Sequence, residues 1–252
     1  MLNTEKMEKV IEKFGGNPKD LKTNLESERL DVLMNMEGGS GGGGKYAPRY
    51  IRFTNYTGTE LDNELANLDT SNLVSGAMVF SGLSSLTNLD LSSWNTSNIT
   101  TMSSMFYNSP SLINLNLRGW KISKVTDFIG FCSGASKLEN IDLSTFTNGL
   151  NVTSVKAMFK NCSSLKRIDL NNFVTDTKLT DISNMFSGCT SLEFIDIRNM
   201  NLWTHVTSYS DFLTNVPKTC TIVTKSKSFL SSRFSGYNYM TVAEYEASLT
   251  EE

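Results

Sequence analysis

The sequence predicts an α/β solenoid: stacked coils with a parallel sheet along one side and short helices along the other, preceded by a small helical segment. Three observations predict it. A block of the form L-x-x-L/I-x-L/I recurs with its first leucine at Leu86, Leu112, Leu138, Leu165 and Leu192, at spacings of 26, 26, 27 and 27 residues. A period of that size marks a solenoid. Within each block the last two apolar positions flank a polar one, as in Leu89-Asp90-Leu91 and Ile168-Asp169-Leu170, which is the period-two pattern of a strand with one buried face. The second half of each unit carries apolar residues three and four apart, the spacing of one helical face.

Residues 1–36 read as two short helices forming an attachment segment. In the first, Leu2, Met7, Val10, Ile11 and Phe14 share a face, and Gly15-Gly16-Asn17-Pro18 ends it. The second opens on Thr23-Asn24-Leu25-Glu26, where hydroxyl and carboxylate can exchange bonds with the two backbone N–H groups, and continues through Leu30, Leu33 and Met36. So small a pair buries too little to fold firmly alone and calls for a partner surface or copies of itself, a homo-oligomer through residues 1–36. Met7, Val10, Ile11, Phe14, Leu25, Leu30 and Leu33 are the anchoring residues. A linker follows at 37–48, with six glycines among the seven residues from Gly38 to Gly44, a composition that decouples its two flanks.

The solenoid proper is expected over 49–224, with Arg49 to Tyr56 as an opening cap strand, Thr219 to Thr224 closing the stack, and a C-terminal cap of short helices over 225–252. Solenoid ends need such caps because an open end leaves apolar surface and strand groups exposed.

Three residues beyond each block a bulky residue recurs: Trp94, Trp120, Phe146, Phe173 and Met200, with Leu68 as an earlier member. An apolar column carried through every coil is an internal spine, each coil covering its neighbour, and burying one such side chain contributes roughly 1.5–3 kcal/mol. The helix-spaced groups add Ile99, Met102, Met105 and Phe106; Val125, Phe128 and Phe131; Val152, Val155, Met158 and Phe159; and Leu179, Ile182, Met185 and Phe186. These form the opposite wall of the core.

Two polar columns face outward. Asp90, Asn116, Asp142, Asp169 and Asp196 stand at the strand centres, either bonding to nearby backbone at the coil corner or forming a ladder for a cation or ligand. Their flanking positions run Asn88, Asn114, Asn140, Arg167 and Phe194, too varied for one uniform ligand. The Asp/Asn column together with Arg167 and Phe194 is the candidate binding face. His205, the one histidine, falls in a column otherwise filled by Asn72, Asn98, Lys124, Asn151 and Lys178, which describes a loop position facing water and no metal or catalytic triad.

The four cysteines, Cys132, Cys162, Cys189 and Cys220, form no CxxC pair and read as free thiols. Cys162 and Cys189 share a column with Ser109 and Ala135; adjacent coils lie about 4.8 Å apart, so distance alone permits a disulfide there.

The 252 residues carry 23 basic and 26 acidic groups, a net charge of −3, with no Lys/Arg run. Nucleic acid is not an expected partner. The opening stretch lacks the apolar core of a secretory signal, and no segment approaches the length of a membrane span, so neither export nor membrane insertion is expected.

The units from Leu89 to Leu112 and from Thr180 to Ile197 resemble the BspA-type leucine-rich repeat family of bacterial surface proteins and gut-phage genomes, over roughly Asn67 to Thr224. The third unit departs from the motif, with Cys132 where the others have Phe. The resemblance implies a leucine-rich-repeat-like, right-handed coil and a role in adhesion, with no shared catalytic residues. The front end, Glu12 to Met36 followed by polyglycine, resembles the attachment segments of phage head-fibre and other virion accessory proteins.

Together these readings imply a non-enzymatic display protein on the virion surface. Its N-terminal segment would hold a capsid or other virion protein, and its solenoid would meet a host-surface or glycan ligand. The alternative is a bacterial cell-surface adhesin of the same repeat family. An enzyme needs a pocket of convergent titratable groups, which the non-repeating residues do not supply, so catalytic residues, metals and cofactors are not expected.

Overall fold

The computed structural model describes residues 53, 65, 68–202 and 205–250. The expected helical attachment segment and glycine linker lie outside these residues, as do Met7, Val10, Ile11, Phe14, Leu25, Leu30 and Leu33. Of the expected opening strand only Phe53 is described; it is buried, donates its N–H to the Val79 carbonyl at 2.6 Å and stacks on Phe80 at 5.4 Å.

The chain folds as a parallel β-solenoid. Each repeat contributes a three-residue strand: β1 (Asn88–Asp90), β2 (Asn114–Asn116), β3 (Asn140–Asp142), β4 (Arg167–Asp169) and β5 (Phe194–Asp196). Then follow β6 (Thr221–Val223), helix α1 (Lys227–Arg233), β7 (Asn238–Met240) and helix α2 (Val242–Ser248). Neighbouring strands pair parallel and in register, Leu89 with Leu115 and Ile141, Ile168 with Ile195 and Ile222. The strands are short because the alternation that builds them lasts only three residues before the next corner.

The stack does not close at Thr224, as the sequence suggested. β7 pairs parallel with β6, Thr221 beside Asn238, and adds one more strand before α2. It escapes the repeat because it lies only 17 residues beyond its partner in that register, with α1 serving as a short return.

The sheet is interrupted once. β1–β2–β3 form one sheet and β4–β5–β6–β7 another, at the place where the repeat lengthens from 26 to 27 residues. The backbone bonds that Ile113 and Lys166 accept from the next coil have no counterpart between β3 and β4 among the described residues. On the opposite wall the coils stay joined across this break, through the Asp127–Ser154 bridge and the Cys132 N–H on the Met158 carbonyl.

That opposite wall is not helical. Met102, Ser104, Phe106 and Asn108 donate their N–H groups to Asp127, Ile129, Phe131 and Ser133 of the next coil, while Met105 and Tyr107 donate to Met102 and Ser104 within their own. Bonds of both kinds recur in the following coils, as at Val155, Ala157, Phe159 and Asn161, which reach Asp181, Ser183, Met185 and Ser187. A chain of turns thus forms a second parallel ladder. It requires a left-handed residue twice per coil, four apart: Met78 and Gly82, Ser104 and Asn108, Gly130 and Gly134, Ala157 and Asn161, Asn184 and Gly188, Asp211 and Asn215. Nine of these twelve are Gly, Asn or Asp, the residues that tolerate this backbone best.

Between the walls lies the spine. Trp94, Trp120, Phe146, Phe173 and Met200 are all buried; Trp94 stacks on Trp120 at 6.3 Å and Trp120 on Phe146 at 6.4 Å. Behind them Met105, Phe106, Met158, Phe159, Met185 and Phe186 are fully buried, with Phe159 stacked on Phe186 at 6.0 Å. In the third coil, Phe128 and Phe131 occupy positions held by methionine in the preceding coil, at 102 and 105, and they meet edge to face at 5.4 Å. Their added volume offsets the small Cys132 where others have Phe, a volume-conserving exchange of the kind cores tolerate. A threonine column, Thr100, Thr126, Thr153 and Thr180, donates hydroxyls to carbonyls of the preceding coil, stitching the corners.

Candidate functional site

The outward face of β1–β4 carries the candidate site. The Asp/Asn column stands at the last residue of each strand and not at its centre as expected; the central side chains, among them Leu89, Leu115 and Ile168, point into the core, and the residues on either side of them point out. Register pairing then stacks equivalent side chains of β1, β2 and β3 from coil to coil, about 4.8 Å apart.

The first outward column is an asparagine ladder. The Asn114 amide donates to Asn88 Oδ1 at 2.6 Å, and the Asn140 amide to Asn114 Oδ1 at 2.9 Å; all three are exposed. It ends at the sheet break, where Arg167 takes over. The Arg167 guanidinium lies 3.7 Å from the centre of the Phe194 ring, and Phe194 meets Tyr245 of α2 at 5.3 Å.

The second column resolves into corner chemistry. Oδ1 of Asp90, Asn116, Asp142, Asp169 and Asp196 accepts the backbone N–H two residues on, from Ser92, Arg118, Ser144, Asn171 and Arg198 at 2.9–3.2 Å. Each side chain closes the turn after its strand. The Ser92 and Ser144 bonds, from side chain first and backbone second, hold the Asp90 and Asp142 carboxyls below the usual carboxylate range. Arg118 lies 3.8 Å from Asp142, and Arg167 3.6 Å from Asp169.

Asp196 differs from the exposed position expected of it. It is 1% exposed and held by Arg198 at 2.7 Å, with Glu246 of α2 on the far side of the guanidinium. α2 folds back over this end of the face and withdraws Asp196, and much of Phe194, from solvent. What stays open is a shallow groove of about 840 Å3 over β1–β4, lined by both columns together with Arg118 and Glu139, with half-buried Ile141 in its floor. Glu139 fills the first variable position of its block and Arg118 lies two residues past β2, so neither belongs to the two outward columns; their closeness to the strand ends was the available signal.

Elsewhere the chemistry is quiet. Cys132, Cys162, Cys189 and Cys220 are free and buried. Cys162 and Cys189 donate to the Cys132 and Phe159 carbonyls at 3.2 and 2.9 Å, as Ser109 in the same column does to Phe80. Burial pushes the Cys189 and Cys220 thiols up to about 12, and Cys132 and Cys162 well above the ordinary thiol value. His205 sits exposed in a bend; in its column Lys124 and Lys178 reach back to Asn98 and Asn151 at 2.7 Å. Among the described residues no three His, Cys, Asp or Glu side chains gather where they could hold a metal ion, and no helix is long and apolar enough to cross a membrane.

Against known proteins, the repeats match one family model twice, over residues 52–146 and 114–226; its description reads "Mycoplasma protein of unknown function, DUF285". No curated protein and no solved structure matches the chain.

Proposed function

The chain belongs to the DUF285 family, whose description names no activity, and from its solenoid we propose a non-enzymatic recognition protein that meets its ligand through the open face of β1–β4. The observation that carries this reading is the amide ladder from Asn88 through Asn114 to Asn140. It is an ordered row of hydrogen-bonding groups on a rigid sheet, with no part in the core. Side chains already fixed lose little entropy when a ligand arrives. Thiols kept protonated by burial, and a histidine with no acidic partner in its column, favour recognition over catalysis.

In the reading we favour, the protein is displayed on a phage particle. Residues 1–36, whose sequence resembles virion attachment segments, dock on a capsid or accessory protein, and the glycine linker lets the solenoid reach a host surface. Deleting residues 1–44 should leave a folded solenoid that no longer co-purifies with particles. Persistent co-purification would refute the virion part.

A second reading is favoured by the family match itself, since its description names a cellular source, Mycoplasma, and by the BspA-type resemblance of the repeats: an adhesin on a bacterial surface. Both readings share the strand face. Labelled full-length protein should bind target cells, and Asn114→Arg together with Asn140→Arg should abolish binding while leaving the circular dichroism spectrum unchanged. Undiminished binding by a folded double variant would remove the face from the mechanism.

A further inference from the structure

We propose that the groove over β1–β4 binds an uncharged, linear polysaccharide lying along the solenoid axis, with one sugar residue above each coil. This rests on the recognition reading above and names the ligand class of the same face.

The first argument is charge. The groove is lined by four carboxylates, Asp90, Glu139, Asp142 and Asp169, and two guanidiniums, Arg118 and Arg167. Each arginine lies against a carboxylate, Asp142 at 3.8 Å or Asp169 at 3.6 Å, which leaves Asp90 and Glu139 as a small acidic excess. A polyanion, whether sulfated glycan or nucleic acid, meets like charge here.

The second argument is the lack of an anchor pocket. Protein partners bind mainly through aromatic or apolar side chains seated in desolvated pockets. In this groove Leu89 and Leu115 are buried beneath the strand, and the one apolar side chain partly open to solvent along its floor is Ile141. Phe194, beyond the groove, is sandwiched between Arg167 and Tyr245. A half-open aliphatic floor suits the C–H face of a sugar ring better than the side chain of a protein.

The third argument is the pattern of donors and acceptors. A primary amide has two N–H donors and an oxygen with two lone pairs. The ladder uses one donor of Asn140, one donor and one lone pair of Asn114, and one lone pair of Asn88. The central Asn114 thus keeps one donor and one acceptor site on its exposed side. Two residues along each strand, roughly 6.6–6.8 Å away, stands the carboxylate or amide of the Asp90, Asn116 and Asp142 column, fixed by its turn. Hydroxyl groups act as both donor and acceptor, so the two edges of a flat sugar ring can each meet one column. Along β1–β3, which pair in register, the columns repeat at about 4.8 Å, close to the advance per residue of a ribbon-like β-linked glycan. At one end α2 closes the groove, through Tyr245 on Phe194 and Glu246 on Arg198, which gives the bound chain a defined end.

Isothermal titration of the full-length protein tests this, using hexasaccharides of β-1,4-linked glucose, xylose and N-acetylglucosamine, with a heparin hexasaccharide as the polyanion. At least one neutral hexasaccharide should bind, and heparin should not. Asn114→Leu, which keeps shape and removes both hydrogen-bonding groups, should weaken that binding about tenfold, equivalent to about 1.4 kcal/mol. Should that variant misfold, amide side-chain resonances of Asn88, Asn114 and Asn140 in the wild-type protein serve instead, and they should shift on adding the glycan. No neutral binding at millimolar concentration, tighter binding of heparin, or neutral binding indifferent to Asn114 with unshifted amides would each overturn the proposal. Cell binding that Asn114→Leu abolishes but excess hexasaccharide does not compete would leave the recognition reading standing and remove the glycan.

Discussion

Trp120 rests its indole on that of Trp94 at 6.3 Å, nearly parallel, and sends its Nε1–H back to the Leu91 carbonyl at 2.9 Å. That carbonyl also accepts the Trp94 N–H at 3.0 Å, so it keeps a partner if the indole is removed. Trp120→Phe should therefore cost only about 1 kcal/mol for the lost bond, plus a little packing. Trp120→Ala opens a cavity beside both Trp94 and Phe146 and should cost about 3–5 kcal/mol. Urea unfolding of the two variants reads the difference, and equal losses would show that the ring volume contributes nothing beyond the hydrogen bond.

The turn wall makes a prediction of opposite sign from a helix. Ala157 has φ 54°, a left-handed geometry that costs an L-residue about 1–2 kcal/mol, against the roughly 0.5–1 kcal/mol of backbone entropy that glycine loses. Ala157→Gly should leave the protein as stable or up to about 1 kcal/mol more stable, whereas in a helix it would lose about 1 kcal/mol. Gly188→Ala should be destabilising: its φ is +79° and the added Cβ would collide with Asn161 Oδ1 of the preceding coil. Thermal melts of both variants should move apart, and a destabilised Ala157→Gly would contradict a wall built of left-handed turns.

Why that wall was misread follows from the same residues. Met102, Met105 and Phe106 are three and four apart, the spacing of a helical face, and they are buried just as a helical face would be. In a chain of linked turns, inward side chains recur at similar intervals, so apolar spacing cannot separate the two. The separating signal was the pair of positions four apart in each coil, mostly Gly, Asn or Asp, as in Gly130 and Gly134. By contrast the strands and the Trp94–Trp120–Phe146 spine were legible, because period-two alternation and a column repeated through every coil have few other physical causes. Asp196 was not, because its burial depends on α2, some fifty residues further along, folding back to bring Glu246 beside Arg198. The amide ladder was half legible: the Asn column stands in the sequence, but only the register of β1, β2 and β3 places each amide on the next.

The buried thiols predict a one-sided pH dependence. Desolvation raises Cys189 and Cys220 to about 12 from an ordinary value near 9.0. A group whose folded value is raised contributes its full stabilisation below the unfolded value, and that contribution fades as pH climbs toward the folded one. Stability should stay level with respect to these thiols up to about pH 9 and fall between about 9 and 12. A variant with Cys132, Cys162, Cys189 and Cys220 all replaced by alanine should lose less stability over that interval. At pH 8 a thiol reagent should label the wild-type only as fast as it unfolds; rapid labelling of the folded chain would show that these cysteines are accessible.

The acidic column can be separated into turn closure and ligand binding by one pair of substitutions. Asp142 Oδ1 accepts the Ser144 N–H at 2.9 Å, and in the coil before it Asn116 accepts the Arg118 N–H at 3.2 Å. An amide oxygen therefore does the same work at this corner. Asp142→Asn should change stability by less than about 0.5 kcal/mol near neutral pH, since its ion pair with Arg118 is exposed and such pairs contribute little. Asp142→Ala removes the acceptor and should cost about 1 kcal/mol. Acid adds a second handle. The bonds from Ser144 hold the Asp142 carboxyl below its ordinary value of 3.8, so its contribution is complete above that value and is lost as pH falls through the lower, folded one. The asparagine variant should lack that part of the acid-induced loss. If instead both substitutions leave stability unchanged and Asp142→Asn alone abolishes binding of a cation measured by titration, the column is a ligand ladder and the turn is held by something else.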